Sequence, residues 1–206
     1  MEAADDPDIQ LLQRSRSGEE AAFVALYRRW QGAIYRYSLR LTDSASIAED
    51  VTQEVFLALM DGASGFDPAS GSFSSYLYGI ARNHVLRRMA REKLFMKISI
   101  DISEESKNFH AGPDSQPDAL HDLTSRERLH ALRCAVAALP MRYREVVILC
   151  ELQELNYAEA AQVIGCPEGT IRSRLHRARI LLLKKLQEGA LKDLHTPRIV
   201  TARCLP

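Results

Sequence analysis

The residues best equipped for chemistry in this 206-residue chain are cationic side chains gathered in two places. Arg82, Arg87, Arg88, Arg91, Lys93 and Lys97 stand against one acid, Glu92. Arg172, Arg174, Arg177, Arg179, Lys184 and Lys185 likewise stand against Glu168 alone. Such groups hold phosphate oxygens, and a polar neighbour such as Asn83 or Ser173 can address a base edge. Acid is concentrated elsewhere. The start of the chain carries Glu2, Asp5, Asp6, Asp8, Glu19 and Glu20, and the stretch between the basic segments carries Asp101, Glu104, Glu105, Asp114, Asp118, Asp122 and Glu127. The totals cancel, at 27 basic and 27 acidic residues, so only the distribution argues for a polyanionic partner. Charge runs of this kind also occur as plain solvated helix faces, which leaves spacing and motif to decide.

Other chemistry finds little support. Cys134, Cys150, Cys166 and Cys204 form no C-x-x-C pair, and two of them sit in apolar helical patterns suited to reduced, buried thiols. His110, His121, Cys134 and Cys204 match no metal-ligand spacing, so neither a metal nor another cofactor is expected. The six histidines and the carboxylates form no nucleophile–base or paired-acid arrangement, so no catalytic residue is assigned and no enzymatic activity is expected.

The elements that must position the cations are predicted to be helices. Hydrophobic residues make up 46% of the chain, while aromatics are 7% and there are only 10 glycines and 8 prolines, too few for a sandwich or barrel. No apolar run approaches the roughly 20 residues that span a bilayer, and the acidic start Met1-Glu-Ala-Ala-Asp-Asp is unlike a signal peptide. No membrane insertion and a cytoplasmic location are expected. Phe23, Leu26, Tyr27, Trp30, Ile34, Tyr37 and Leu41 recur at helical spacing. A second helix, capped by Asp43 or Ser44, turns Val51, Val55, Phe56 and Leu59 inward and Glu49, Asp50, Gln53 and Glu54 outward. After breakers at Gly62, Gly65, Pro68 and Gly71, Ser72 or Ser74 starts a third, with Leu77, Ile80, Ala81, Val85 and Met89 inward and Arg82, Asn83, Arg87 and Arg88 on its outer surface. Ser103 to Leu120, polar and bracketed by Pro113 and Pro117, is predicted to be a linker.

Beyond it, Leu129, Leu132, Val136 and Leu139 form one apolar stripe, Pro140 supplies a first-turn proline, and Val146, Val147 and Cys150 form another stripe. The stretch from Tyr157 to Leu175 fits a helix-turn-helix, with Ala161 where helices cross, Gly165 at the turn and Ile171 as anchor. On its second helix Ile171, Leu175, Ala178 and Leu182 face inward, which leaves Arg172, Ser173, His176 and Arg177 able to reach a major groove.

Three segments now resemble a family in its own order: Ala48-Glu-Asp-Val-Thr-Gln-Glu-Val-Phe; Phe73-Ser-Ser-Tyr-Leu-Tyr-Gly-Ile-Ala-Arg-Asn; and Leu139-Pro followed by Gly165-Cys-Pro-Glu-Gly-Thr-Ile-Arg-Ser-Arg-Leu-His-Arg-Ala-Arg. The chain resembles a bacterial extracytoplasmic-function (group IV) RNA polymerase sigma factor over residues about 10 to 96 and 125 to 188. Tyr76 stands where that family often has Trp. The resemblance implies an all-α fold of two small domains, sigma region 2-like over 1–97 and region 4-like over 125–188, joined by a flexible acidic linker at 98–124 and followed by a tail at 189–206. It further implies core RNA polymerase (β′ and β subunits), promoter DNA and an anti-sigma factor as partners. Asp50, Gln53 and Glu54 then match the core-docking surface, Arg82, Asn83, Arg87 and Arg88 the minus-ten contacts, and Arg172, Ser173, His176 and Arg177 the minus-thirty-five reader. A helix-turn-helix regulator working without polymerase docking would need the same C-terminal helices but not the acidic second helix or the basic third.

Overall fold

A computed structural model describes residues 6–61, 65–99 and 121–195, and every regular element among them is helical. The chain runs α1 (Pro7–Arg16), α2 (Glu20–Thr42), α3 (Ala45–Met60), a 3₁₀ turn at Pro68–Ser70, α4 (Phe73–Ser99), α5 (His121–Ala137), α6 (Met141–Val147), a π-helical turn at Ile148–Leu152, α7 (Tyr157–Ile164) and α8 (Glu168–His195). The expected linker falls largely on residues 100–120 and the expected tail largely on 196–206, outside the described residues.

The helices begin and end where side chains satisfy their orphan backbone groups. Ser44 caps α3 by accepting from the Ile47 N–H, whereas Asp43 takes the left-handed conformation that closes α2. Ser72 Oγ accepts from the Ser75 N–H at the start of α4, just after Gly71, whose φ of 147° suits a residue without Cβ. Asn156 and Glu159 form a reciprocal capping box at 2.9 Å on α7, and Gly165 ends that helix at φ 75°. Pro140 occupies the N-cap of α6, one position before the first-turn place that the sequence suggested. α1 escapes the sequence reading altogether. It is capped by Asp6 with Pro7 at its first position, and it buries Ile9 and Leu12.

The first unit packs α2 against α3 and α4, with Leu26, Ile34, Tyr37, Leu41, Val51, Val55, Phe73, Leu77 and Val85 all but inaccessible to solvent. In the second, Leu139, Val146, Ile148, Leu149, Ile171, Leu175 and Ala178 are equally buried. Each such side chain stabilises by about 1.5–3 kcal/mol relative to exposure. Leu129 and Leu132 depart from their predicted inward setting. They are exposed because no described residue covers them, and Ala135 and Val136 of α5 reach the core instead. The two units share one continuous apolar core, with α4 lying against α7.

Candidate nucleic-acid interface

The α8 surface follows from a three- and four-residue alternation. Ile171, Leu175 and Ala178 are buried under α6 and α7, and the intervening Arg172, Ser173, His176 and Arg177 are all exposed on the opposite side. Ser173 Oγ donates to the Thr170 carbonyl at 3.1 Å, and the Arg172 guanidinium sits 5.9 Å from the centre of the Tyr157 ring. These contacts orient side chains without burying them. Arg179 is engaged differently: its Nε donates to Glu151 Oε1 at 3.1 Å, and this hydrogen bond pushes the guanidinium pKa up. It braces the π-helical turn against α8.

The α4 surface is less open than the sequence suggested. Asn83 and Arg87 are exposed as expected, but Arg82 and Arg88 are not simply outward. The Arg82 guanidinium pairs with Glu145 of α6, a carboxylate with only 4% of its side chain accessible. Arg88 Nη1 lies 3.1 Å from Asp50 and its Nη2 4.0 Å from Glu54, so it covers part of the acidic face of α3. His84 Nδ1 is 3.9 Å from Glu54. Burial depresses the His84 pKa, Glu54 opposes that effect, and Arg87 and Arg88 add to it. Long cations on a helix next to a carboxylate-bearing helix find those carboxylates, which a one-helix reading cannot foresee. Gln53 remains exposed, while Asp50 and Glu54 are about half exposed.

Beside α4 lies a cleft of about 390 Å³ that the individual residues did not announce. Phe66, Asp67, Ser70, Ser75, Tyr76 and Asn83 line it. Phe66 and Tyr76 lie with ring centres 5.2 Å apart at a tilt of 50°, and Phe66 meets Phe73 edge-on at 5.4 Å. Asp67 fixes the loop by accepting from the Ala69 N–H at 3.0 Å and the Ser70 hydroxyl at 2.8 Å, which together hold its carboxyl below the ordinary range. Aromatic faces beside a polar base-edge partner suit an unstacked nucleobase. The signal available in sequence was aromatic residues flanking the Gly- and Pro-rich breaker segment at 65–71.

Among the described residues no group of three or more His, Cys, Asp or Glu could hold a metal ion, and no helix is long and apolar enough to cross a membrane. Burial and the neighbouring Glu151 push the Cys150 thiol up to about 11, so it stays protonated.

An exposed basic face inside a helix-turn-helix and a partly paired basic helix beside an aromatic cleft define a helical protein with the surface chemistry of a nucleic-acid binder. Comparison with known proteins narrows this class. Residues 26–95 match Sigma-70 region 2 and residues 129–182 match Sigma-70 region 4. The RNA polymerase sigma-H factor of Pseudomonas aeruginosa is 33% identical over 194 residues, covering 88% of this chain and 95% of that one. The ECF RNA polymerase sigma factor SigE of Mycolicibacterium smegmatis is 32% identical over 168 residues, covering 79% of this chain; the alignment spans 62% of that longer relative. Among solved structures, the sigma factor RpoE in complex with the anti-sigma factor NepR from Bartonella quintana superposes with a TM-score of 0.60 at 25% identity, over 76% of this chain and 91% of that one. The chain belongs to the ECF RNA polymerase sigma factors, whose members bind core RNA polymerase and direct promoter recognition and transcription initiation.

Proposed function

We propose that this chain divides that work among the surfaces described above, in the cytoplasm and without catalytic chemistry of its own. Asp50, Gln53 and Glu54 on α3 dock on a basic helical surface of core polymerase, where exposed carboxylates supply orientation and association rate. Asn83, Arg87 and the neighbouring cleft hold the melted minus-ten strand, with Arg82 and Arg88 joining once their carboxylate partners are exchanged for phosphate. Arg172, Ser173, His176 and Arg177 read the minus-thirty-five duplex in its major groove. The domains carrying these roles are 1–97 and 125–188, with 98–124 linking them and 189–206 trailing. An anti-sigma factor holds the chain until a signal arrives; the RpoE–NepR complex of a relative supports that part.

The observation that carries the proposal is the α8 quartet, outward on one side of a helix whose other side is anchored by Ile171, Leu175 and Ala178. Co-purification with core polymerase followed by run-off transcription tests it. Promoter-dependent transcripts from the wild-type chain, lost when Arg172 and Arg177 are both replaced by Ala, are the expected result. Duplex binding with no polymerase association would instead fit a stand-alone regulator.

A further inference from the structure

The long helix α2 carries positive charge that neither DNA-facing helix accounts for. Arg36 and Arg40 stand one turn apart on it, Arg36 exposed and Arg40 partly buried. Arg14, Arg29, Arg82 and Arg88 each find a carboxylate, whereas Arg36 and Arg40 find none among the described residues. Arg40 is crowded as well. Its guanidinium pKa is held down first by burial and then by the positive charges of Arg36 and of Arg133 on α5. Arg36 lies back along the helix, with Nη1 only 3.0 Å from the position a Cβ on Gly32 would take. A glycine inside a helix weakens it relative to alanine, and here the room it leaves is taken by a guanidinium.

A donor without an acceptor lies beside these cations. Tyr78 of α4 donates its hydroxyl to Gln153 Oε1 at 2.7 Å. Burial pushes the Tyr78 phenol up to about 12, and Arg36 and Arg40 oppose that effect, so both charges act on the oxygen that meets the Gln153 amide. The other end of that amide, Nε2, is buried and makes no hydrogen bond. A buried N–H without a partner is costly, and like charges gathered without a counter-charge repel one another. One negatively charged acceptor relieves both penalties.

We propose that Arg36, Arg40 and Gln153, with Arg133 beside them, form a binding site for a small phosphate-bearing anion, a diphosphate in preference to a single phosphate. Guanidinium groups match phosphate oxygens two at a time, and more than one cation calls for more than one negative charge. Arg40 and the Gln153 amide lie too deep for the backbone of a duplex, whereas a free anion can reach them past the exposed Arg36. The first unit supplies both of these arginines and the second supplies Gln153, so a bound anion joins the two. The site shares no residue with the proposed DNA and polymerase surfaces.

Titration calorimetry of the full chain with inorganic pyrophosphate, inorganic phosphate and ADP, together with thermal melts, tests the site. One pyrophosphate per chain, bound about tenfold more tightly than phosphate and raising the melting temperature, is the expected result. ADP that binds at least as tightly as pyrophosphate assigns the anion to a nucleotide; weaker ADP binding assigns it to a diphosphate without a base. Arg36→Gln and Arg40→Gln are each expected to weaken pyrophosphate about tenfold, while Arg28→Gln, an equal loss of charge from exposed α2 surface, leaves it unchanged. Gln153→Glu is isosteric, keeps an acceptor for Tyr78 and sets a carboxylate among the arginines. It should raise the melting temperature of the anion-free chain and abolish pyrophosphate binding. Neither heat nor a melting shift with pyrophosphate, equal weakening by Arg28→Gln, or a Gln153→Glu chain that melts below wild type without the anion each overturns the proposal.

Discussion

The two basic helices handle their charge in opposite ways. On α8 the four residues assigned to the groove are exposed, and none of them is ion-paired among the described residues. On α4, Arg82 is spent on Glu145 and Arg88 on Asp50 and Glu54. A groove in duplex DNA is a finished surface, so a helix that reads it can be rigid and exposed. A melted strand needs a concave site with aromatic walls, the role proposed for the cleft of Phe66 and Tyr76, and here that cleft is accompanied by cations that already have intramolecular partners. Cations that must leave an existing partner before touching DNA tie DNA binding to whatever releases them.

The comparison breaks most readily at Glu145. Glu145→Ala leaves Arg82 part-buried without its carboxylate and should lower stability by about 3–5 kcal/mol, whereas Arg172→Ala on the open face should stay within about 0.5 kcal/mol. Urea denaturation of both variants measures the contrast, and equal costs would mean that the two helices do not differ as described. The next effect concerns sequence choice. Ser173→Ala and Arg177→Ala should relax minus-thirty-five discrimination by about 1–3 kcal/mol per lost base contact while leaving minus-ten preference intact, and Asn83→Ala should do the reverse. A promoter library transcribed with each variant would assign these side chains to mere positioning if output fell uniformly across all sequences.

A smaller change is expected at the acidic face. Asp50→Lys combined with Glu54→Lys should weaken polymerase docking about tenfold, equivalent to about 1.4 kcal/mol, and should flatten its salt dependence. Surface plasmon resonance on immobilised core polymerase at two salt concentrations reads both quantities. Smallest of all is a pH effect at the junction of α3 and α4. Because the His84 pKa is depressed below its ordinary 6.5 in the folded chain, the unfolded chain binds the proton more readily. Stability should therefore fall as pH drops through 6.5 and below, and His84→Gln should remove that slope from a series of thermal melts.

Much of this was legible in the residues. The apolar stripe from Phe23 to Leu41 marked α2, the pair Asp43 and Ser44 marked the start of α3 without saying which of them caps it, and Gly165 marked the turn inside the helix-turn-helix, because periodicity and capping are local physics. The α8 quartet was legible for the same reason, since the buried Ile171, Leu175 and Ala178 fix which side faces out. α1 was not, because its ten residues bury only Asp8, Ile9 and Leu12 and its docking depends on Arg29 and Trp30 far along the chain. The seam between the units was equally invisible. Tyr78, Glu145, Gln153 and Gln162 look like ordinary surface residues in sequence and acquire their meaning only from partners 63 to 92 positions away. Leu129 and Leu132 show the converse: a correct helical period whose apolar side finds no cover among the described residues.

The chain has one tryptophan, and its position makes the molecule its own optical gauge. Trp30 donates its indole N–H to Asp8 at 3.1 Å, while Asp8 also lies 3.0 Å from the Arg29 guanidinium. The indole sits 6.3 Å from the Tyr78 ring, whose hydroxyl crosses to Gln153. Its emission spectrum therefore senses the attachment of α1, and energy passed to it from Tyr78 senses the environment of the residue that bridges the two units. Unlabelled protein in a stopped-flow cuvette can thus time the release of either end without an attached dye.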